Sequence, residues 1–487
     1  MKEKLTALFR QSFVYTIGSL SSPIMGIFMV PIYTRVFSPE DYGVIDLIQI
    51  TIIFASVALI MGTDNATGRY YLDKDNESDK KAIASTSLFF RAVILFAASG
   101  LFVLFSEEIS LLLFKSGKQS GFLLLAFVAI PFDQCFTLCL NLLRYNFRSV
   151  SYTVIGTGKL LSKISLAILL VVFLKWGITG VFAATLISST VFLLIILIFI
   201  RKYLSLSFST SRLKELLTYG LPLMPYGFTV YLIQNCSRYF LVHYSTLQEL
   251  GLYAVSSKLA TLISFVFIGV GAALGPFLFS GYKKDETKAI YLKVVNYSIA
   301  ASVVAVLGLS LFAREILMIF TSGQYVEAYI LIPFLSSYIT LFYLGLQMSW
   351  GIHIIKKTIY FTVVSIITAV VNIGLSFWLV PQYGMMGAAV TSLASSVVWC
   401  VSLVYISQKC YRINYDYLAY IKIAFSTTAT ILIAFHYLPD VNWQNTLLKI
   451  AIIMVSVVLL YFFKVIDKSE LRYLKSLATI FTNRKTN

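Results

Sequence analysis

The chain is patterned as long uninterrupted apolar stretches separated by short polar connectors, with almost no strict alternation. About fourteen stretches reach roughly 20 residues, the length an α-helix needs to cross the hydrocarbon core of a bilayer. Their centres fall near Gly26, Ile53, Ile94, Phe132, Ala167, Thr190, Tyr231, Ile263, Ala301, Ile339, Val370, Val397, Thr428 and Val455. A membrane β-barrel would instead show alternating segments of about ten residues. The pattern therefore predicts an all-α polytopic membrane protein whose backbone polar groups are satisfied within each helix.

Composition narrows the class. Of 487 residues, 58% are hydrophobic and 13% charged, and the mean hydropathy is +0.83. Those values exclude a water-soluble enzyme, a disordered chain and a nucleic-acid binder. The net charge of +17 reads first as topology. An even number of spans puts both termini on one side. Thirty of the 39 basic residues go there, Lys159, Lys163, Lys283 and Lys409 among them, and five, Arg35, Lys115, Lys118, Lys175 and Arg314, lie opposite. That asymmetry predicts cytoplasmic termini. The lead, residues 1–11, and the tail, 464–487, read as amphipathic surface helices, although ordinary cationic ends explain them equally well. Met1 to Arg10 shows no cleavage site, so the first span is expected to stay uncleaved. Five cysteines without a CxxC pair and three isolated histidines predict neither disulfides nor a metal site.

The sequence also repeats itself. Glu40-Asp41-Tyr42-Gly43 returns as Gln248-Glu249-Leu250-Gly251 at an offset of 208. Trp176-Gly177-Ile178-Thr179-Gly180 returns as Tyr383-Gly384-Met385-Met386-Gly387 at 207, as does Glu108-Ile109 at Glu315-Ile316. A six-span unit places its copy the same way up, which predicts an N-lobe (12–203), a C-lobe (204–406) and a two-span appendage (407–463). Two such lobes enclose a central cavity, the architecture of a transporter.

Three segments carry a resemblance. Pro31 to Gly43, Gly62 to Tyr71 and Tyr219-Gly-Leu-Pro-Leu-Met-Pro225 resemble the polysaccharide-transport branch of the multidrug, oligosaccharidyl-lipid and polysaccharide exporter superfamily, which includes Wzx-type O-antigen flippases. Arg238 to Leu241, Glu249 to Tyr253 and Lys258 to Ala260 are similar to that family's seventh and eighth spans, and the fourteen-span count agrees. One departure is Ser237, where the family commonly has Asp before the Arg. The resemblance implies a flippase moving undecaprenyl-diphosphate-linked oligosaccharide across a bacterial inner membrane, with polysaccharide polymerase machinery as a partner. A proton or sodium is the expected coupling ion. No P-loop occurs, so an ion gradient, the membrane potential or substrate flux would supply the energy.

Ionisable groups inside spans are the default functional candidates. Arg238 and Lys258 flank the outer turn near Leu247, both about 15 Å deep along their helices, and would give a diphosphate cationic donors. The alternative is that each pairs with an acid or carbonyl of a neighbouring helix. Arg35 and Arg69 complete the cationic set. Arg91 and Asp133 lie at similar depth and are placed to pair, as a staple or with Asp133 as the coupling-ion site. Asp46 and Gln49 share a face near the outer end of the second span, as cavity rim. Asp64 and Arg69 close that span as a cytoplasmic gate or a solvated loop. Lys449, near a helix end, can snorkel and is set aside. Pro23, Pro222 and Pro225 are hinges or static kinks.

Two other classes fit less well. A membrane polymerase or ligase needs a long outer loop, and no outer connector exceeds roughly fifteen residues. An exporter of organic cations needs an acidic cavity, whereas this one reads as basic.

Overall fold

The computed structural model describes residues 24–205, 207–270, 285–438 and 441–462. The amphipathic lead, Pro23 and the tail from 464 lie outside the described residues. Among those described there is no strand. The helices that matter below are α1 (Ile24–Val36), α2 (Pro39–Ile60), α3 (Thr63–Asp73), α4 (Glu77–Leu104), α5 (Ser106–Phe114), α6 (Ser120–Tyr145), α7 (Ser149–Ile168) and α8 (Ile178–Ile200). They are followed by α9 (Thr210–Gly220), α10 (Met224–Tyr244), α11 (Leu247–Ala260), α12 (Asp285–Leu311), α13 (Ala313–Phe320), α14 (Ile332–Met348), α15 (Trp350–Ile354), α16 (Ile359–Cys410), α17 (Tyr417–Tyr437) and α18 (Trp443–Phe462).

Among the described residues, 12 helices are long and apolar enough to cross a membrane. The 52-residue α16 bends at Gly384 into two spans, and the shorter apolar α1 precedes the set. With these, the helical segments fall one for one on the fourteen apolar centres. The Ser-Pro-Glu-Asp motif turns out to be a helix start: Ser38 Oγ accepts from the Asp41 amide at 3.2 Å, the Asp41 carboxylate accepts from the Ser38 amide at 3.3 Å, and Pro39 occupies the first turn.

By packing, the chain divides into two compact units. One is Met1–Lys258 with Thr321–Tyr325 and Phe361–Ser395; the other is Leu259–Phe320, Val326–Tyr360 and Ser396–Asn487. In the first unit, Phe136, Cys139, Leu142 and Leu143 of α6 pack against Ile155 of α7 and Ile196 and Ile200 of α8. The repeat is visible in its backbone. Gly177 (φ 59°, ψ −141°) and Gly384 (φ 51°, ψ −129°) adopt the same left-handed conformation at corresponding positions. Gly43 and Gly251 likewise correspond: a Cβ at Gly43 would lie 2.5 Å from the Leu247 carbonyl oxygen, and one at Gly251 would overlap the Pro39 carbonyl. Small residues here let the starts of α2 and α11 cross backbone to backbone, the usual basis of close helix packing in lipid.

In the second unit, the Trp399 indole stacks on Phe342 at 5.1 Å and donates to the Phe342 carbonyl at 3.1 Å. Ala419 and Ile423 of α17 and Leu460 of α18 pack on Ala300 of α12. Lys449 does not snorkel. Its ammonium lies 2.5 Å from Glu315 of α13, and the two side chains are only 4% and 14% exposed. The reason is that α18 presents Lys449 inward, where Glu315 satisfies it, so the last span is fastened by a buried ion pair.

The bend at Gly384 is held by Glu249, whose Oε2 accepts from the Met385 amide at 2.7 Å and from Ser245 Oγ at 2.6 Å. A Cβ on Gly384 would collide with that carboxylate. Gly384→Ala is therefore expected to destabilise by about 1–3 kcal/mol, whereas Gly374→Ala, which meets nothing within 4 Å on the same helix, should be neutral or slightly stabilising. Thermal unfolding in detergent micelles decides it, and equal melting of the two variants would refute this account of the bend.

Candidate functional site

Within the first unit a cavity of about 510 Å³ is walled by α2, α6, α7 and α8. Pro131 sits inside α6 without an amide hydrogen, which leaves the Phe127 carbonyl unserved by its own helix. Ser99 of α4 donates to that carbonyl. Two residues on, Asp133 faces the cavity. Its Oδ1 accepts from Lys159 Nζ of α7 at 2.7 Å and from Ser189 Oγ of α8 at 3.0 Å. The Lys159 ammonium also lies 4.1 Å from the centroid of the Phe136 ring, so an ion pair and a cation–π contact hold it together.

Lys163, one turn beyond Lys159, lines the same cavity. It has no carboxylate partner among the described residues. Lys258 of α11 does not line this cavity. One acid against two lysines leaves a net positive charge. Asp133 lies twelve residues before the end of α6, about 18 Å along it, and Lys159 ten residues into α7, about 15 Å. Both are near mid-helix, the depth at which transporter sites form. Gln49, Gln134, Thr137, Thr157 and Thr185 supply neutral hydrogen-bonding groups around the lysines.

Several expectations from the sequence are corrected here. Lys159 and Lys163 are not connector residues on a membrane surface: α7 starts at Ser149, and its span runs to Phe173. Polar and small residues in its first turns, Tyr152, Thr153, Gly156, Thr157 and Gly158, mask the start of the helix in hydropathy. The signal that would have found them is a pair of lysines at i and i+4 well inside a 25-residue helical stretch.

Arg91 and Asp133 do not pair. Arg91, 1% exposed, binds Asp64 at 2.7 Å and donates to the Gln134 carbonyl at 3.3 Å. The left-handed pair Met61 and Gly62 turns the chain so that Asp64 returns against α4, while Asp133 is held by α7 and α8. Asp64 is therefore not joined to Arg69 in a gate. Arg69 is exposed and reaches Asp73 at 3.7 Å and the Tyr219 hydroxyl at 3.4 Å. Arg35, also exposed, donates to the Pro31 carbonyl at 3.2 Å.

Arg238 and Lys258 do not act as one cationic pair. Arg238 Nε lies 2.8 Å from Asp46 Oδ2, with side chains 8% and 4% exposed, and the contact is ionic without a linear N–H···O geometry. Its other nitrogens donate to the Gln234 carbonyl and Asn235 Oδ1, each at 3.0 Å, and to Ser257 Oγ at 2.8 Å. Tyr253 covers the guanidinium at 5.3 Å. Asp46 is thus a buried counter-ion joining α2 to α10, and not a cavity rim, whereas Gln49 one turn on does line the cavity. Pro222 and Pro225 occupy a 3₁₀ turn and the first turn of α10, positions where proline starts a helix without bending it.

The sequence profile of a family described as "polysaccharide biosynthesis protein" matches residues 32–330. The chain belongs to this family. The chain is 22% identical over 381 residues to an uncharacterized membrane protein of Haemophilus influenzae, covering 76% of this chain and 89% of that one. Its fold is that of the lipid II flippase MurJ in an inward closed conformation, with a TM-score of 0.75, 16% identity and coverage of 92% of this chain and 98% of that one. An inward-facing multidrug resistance MATE family transporter of the MOP superfamily is also similar, with a TM-score of 0.65 at 16% identity, covering 81% and 97%. The chain is thus a multi-pass membrane protein similar in fold to those two structures.

If Arg238 and Asp46 form a fastening, removing either leaves an uncompensated buried charge. Arg238→Ala or Asp46→Ala should each cost about 3–5 kcal/mol, and the double variant less than the sum. Thermal unfolding of the purified protein measures this; additive losses would show that the two side chains do not depend on each other.

Proposed function

We propose that the protein is a flippase. It carries undecaprenyl-diphosphate-linked oligosaccharide, the repeat unit of an O-antigen, capsule or exopolysaccharide, across the bacterial cytoplasmic membrane by alternating access, with both termini cytoplasmic. It does no covalent chemistry. The observation that carries this reading is the cationic excess of the mid-helix cavity, above all Lys163 without a carboxylate partner. A lysine at that depth is costly unless hydrated or paired, and a transient anion meets that need. A diphosphate brings at least two negative charges, which Lys159 and Lys163 together would receive through charge-assisted hydrogen bonds. The cavity of about 510 Å³ suits a diphosphate and its first sugar, within the usual range for small-molecule sites. The polyprenyl tail would remain in lipid. Family membership and the fold shared with MurJ support the same substrate class.

The Asp133 to Lys159 pair suggests how an ion would couple. When a diphosphate takes Lys159, Asp133 loses its counter-charge and binds a proton or sodium, which is released when the lysine returns. The product would pass to polysaccharide polymerase machinery. Export of organic cations, the alternative within this fold, is disfavoured because the cavity repels them.

Reconstituted vesicles test the proposal. Lys163→Gln, which breaks no ion pair among the described residues, is expected to slow translocation of undecaprenyl-diphosphate oligosaccharide at least about tenfold at unchanged folding, and Lys159→Gln with Lys163→Gln further. Normal flipping by the double variant would remove the lysines from the mechanism, and transport of organic cations alone by wild type would overturn the substrate class.

A further inference from the structure

A second charged pocket lies in the other packing unit, where α16 ends and α17 begins. Gln408 closes the connecting loop at both ends of one residue: its Oε1 accepts from the Ile413 amide and its Nε2 donates to the Ile413 carbonyl, each at 2.9 Å. This clamp shapes a cavity of about 450 Å³ bordered by Tyr405, Lys409, Arg412, Asn414, Tyr415 and Tyr417. Lys409 and Arg412 are exposed, and neither has a carboxylate partner among the described residues. Asp416, the acid of this loop, does not border the cavity and is occupied in capping α17, accepting from the Ala419 amide at 3.0 Å. The Lys409 ammonium stands 4.4 Å from the centre of the Tyr405 ring, which is 60% exposed.

The surroundings say what kind of anion belongs here. Val401, Tyr405 and Lys409 follow one another at i, i+4 and i+8 on α16, a stripe running from apolar through aromatic to cationic. On α17, Leu418, Ile421 and Phe425 are 63%, 65% and 76% exposed. In a membrane-spanning helix such exposure faces acyl chains, and a tyrosine followed by a basic residue marks the headgroup level. A loop joining two consecutive spans also lies at a membrane surface.

We propose that this pocket binds the phosphodiester of an anionic phospholipid, with Arg412 and Lys409 holding the phosphate, the tyrosines flanking the headgroup and the acyl chains lying along the exposed faces of α16 and α17. The arginine fork recognises two phosphate oxygens, and the lysine adds a point charge. Juxtamembrane basic pockets of this kind select anionic lipids. A soluble phosphate would meet the same charges without the apolar stripes. The site is independent of what the mid-helix cavity carries.

The test uses the full chain in nanodiscs made from an equal mixture of phosphatidylglycerol and phosphatidylcholine, with retained lipid counted by native mass spectrometry. Wild type is expected to retain phosphatidylglycerol preferentially, and Lys409→Gln with Arg412→Gln to lower that preference about thirtyfold. Lys422→Gln, an exposed charge of α17 outside the cavity, should leave it unchanged. Excess glycerophosphoglycerol should not displace the lipid. Equal preference in wild type and double variant, or an equal loss in Lys422→Gln, would overturn the site, and displacement by the soluble headgroup would reassign it to free phosphate. If the double variant misfolds, Lys409→Gln alone should still lower the preference about fivefold, and no change would overturn the proposal.

Discussion

The hydrocarbon core contains no water to satisfy a charge, so every ionised side chain placed there must find a partner in the protein or in what the protein carries. Most of this chain's buried charges obey that constraint by pairing across helices. Asp64 answers Arg91, Asp46 answers Arg238, and Glu315 answers Lys449. Two of these pairs, Asp46–Arg238 and Glu315–Lys449, join elements far apart in sequence, and each of the three leaves little charge to bind anything else. Such pairs add little net stability over an apolar replacement, but they penalise any arrangement that separates them. They therefore specify which helices stay together.

The mid-helix cavity is built on the remainder. Asp133 neutralises Lys159, and Lys163 is left without a carboxylate partner among the described residues. The imbalance is what distinguishes this cluster from the structural pairs: a complete set of counter-charges is a fastening, whereas an incomplete set leaves a cation without a carboxylate partner among the described residues. Ser189, Phe136 and the side-chain amides and hydroxyls around it keep the lysines within a polar enclosure while no anion is bound.

The repeat and the chemistry are arranged differently. The frame is duplicated: Gly177 and Gly384 make the same left-handed break, and Gly43 and Gly251 allow the same close crossing. The charges of the cavity are not. At the repeat offset of 207, Asp133, Lys159 and Lys163 correspond to Thr340, Ile366 and Val370. A duplicated scaffold thus carries its ionic site in one copy only.

From the sequence alone, the type of the helices and their approximate number were legible, because hydropathy over about 20 residues is a local property. Which charges pair was not. Arg91 and Asp133 share a depth, yet on α6 it is the Gln134 carbonyl that turns toward Arg91, and Asp133 looks toward α7. A shift of one residue rotates a helical side chain by about 100°, enough to change its neighbours completely. Arg238 looked like a ligand until Asp46 met it from α2, and Lys159 and Lys163 looked like surface charges until α7 began at Ser149. Depth along a helix follows from counting residues, whereas partners depend on the rotation and packing of other helices, and only the tertiary structure supplies those.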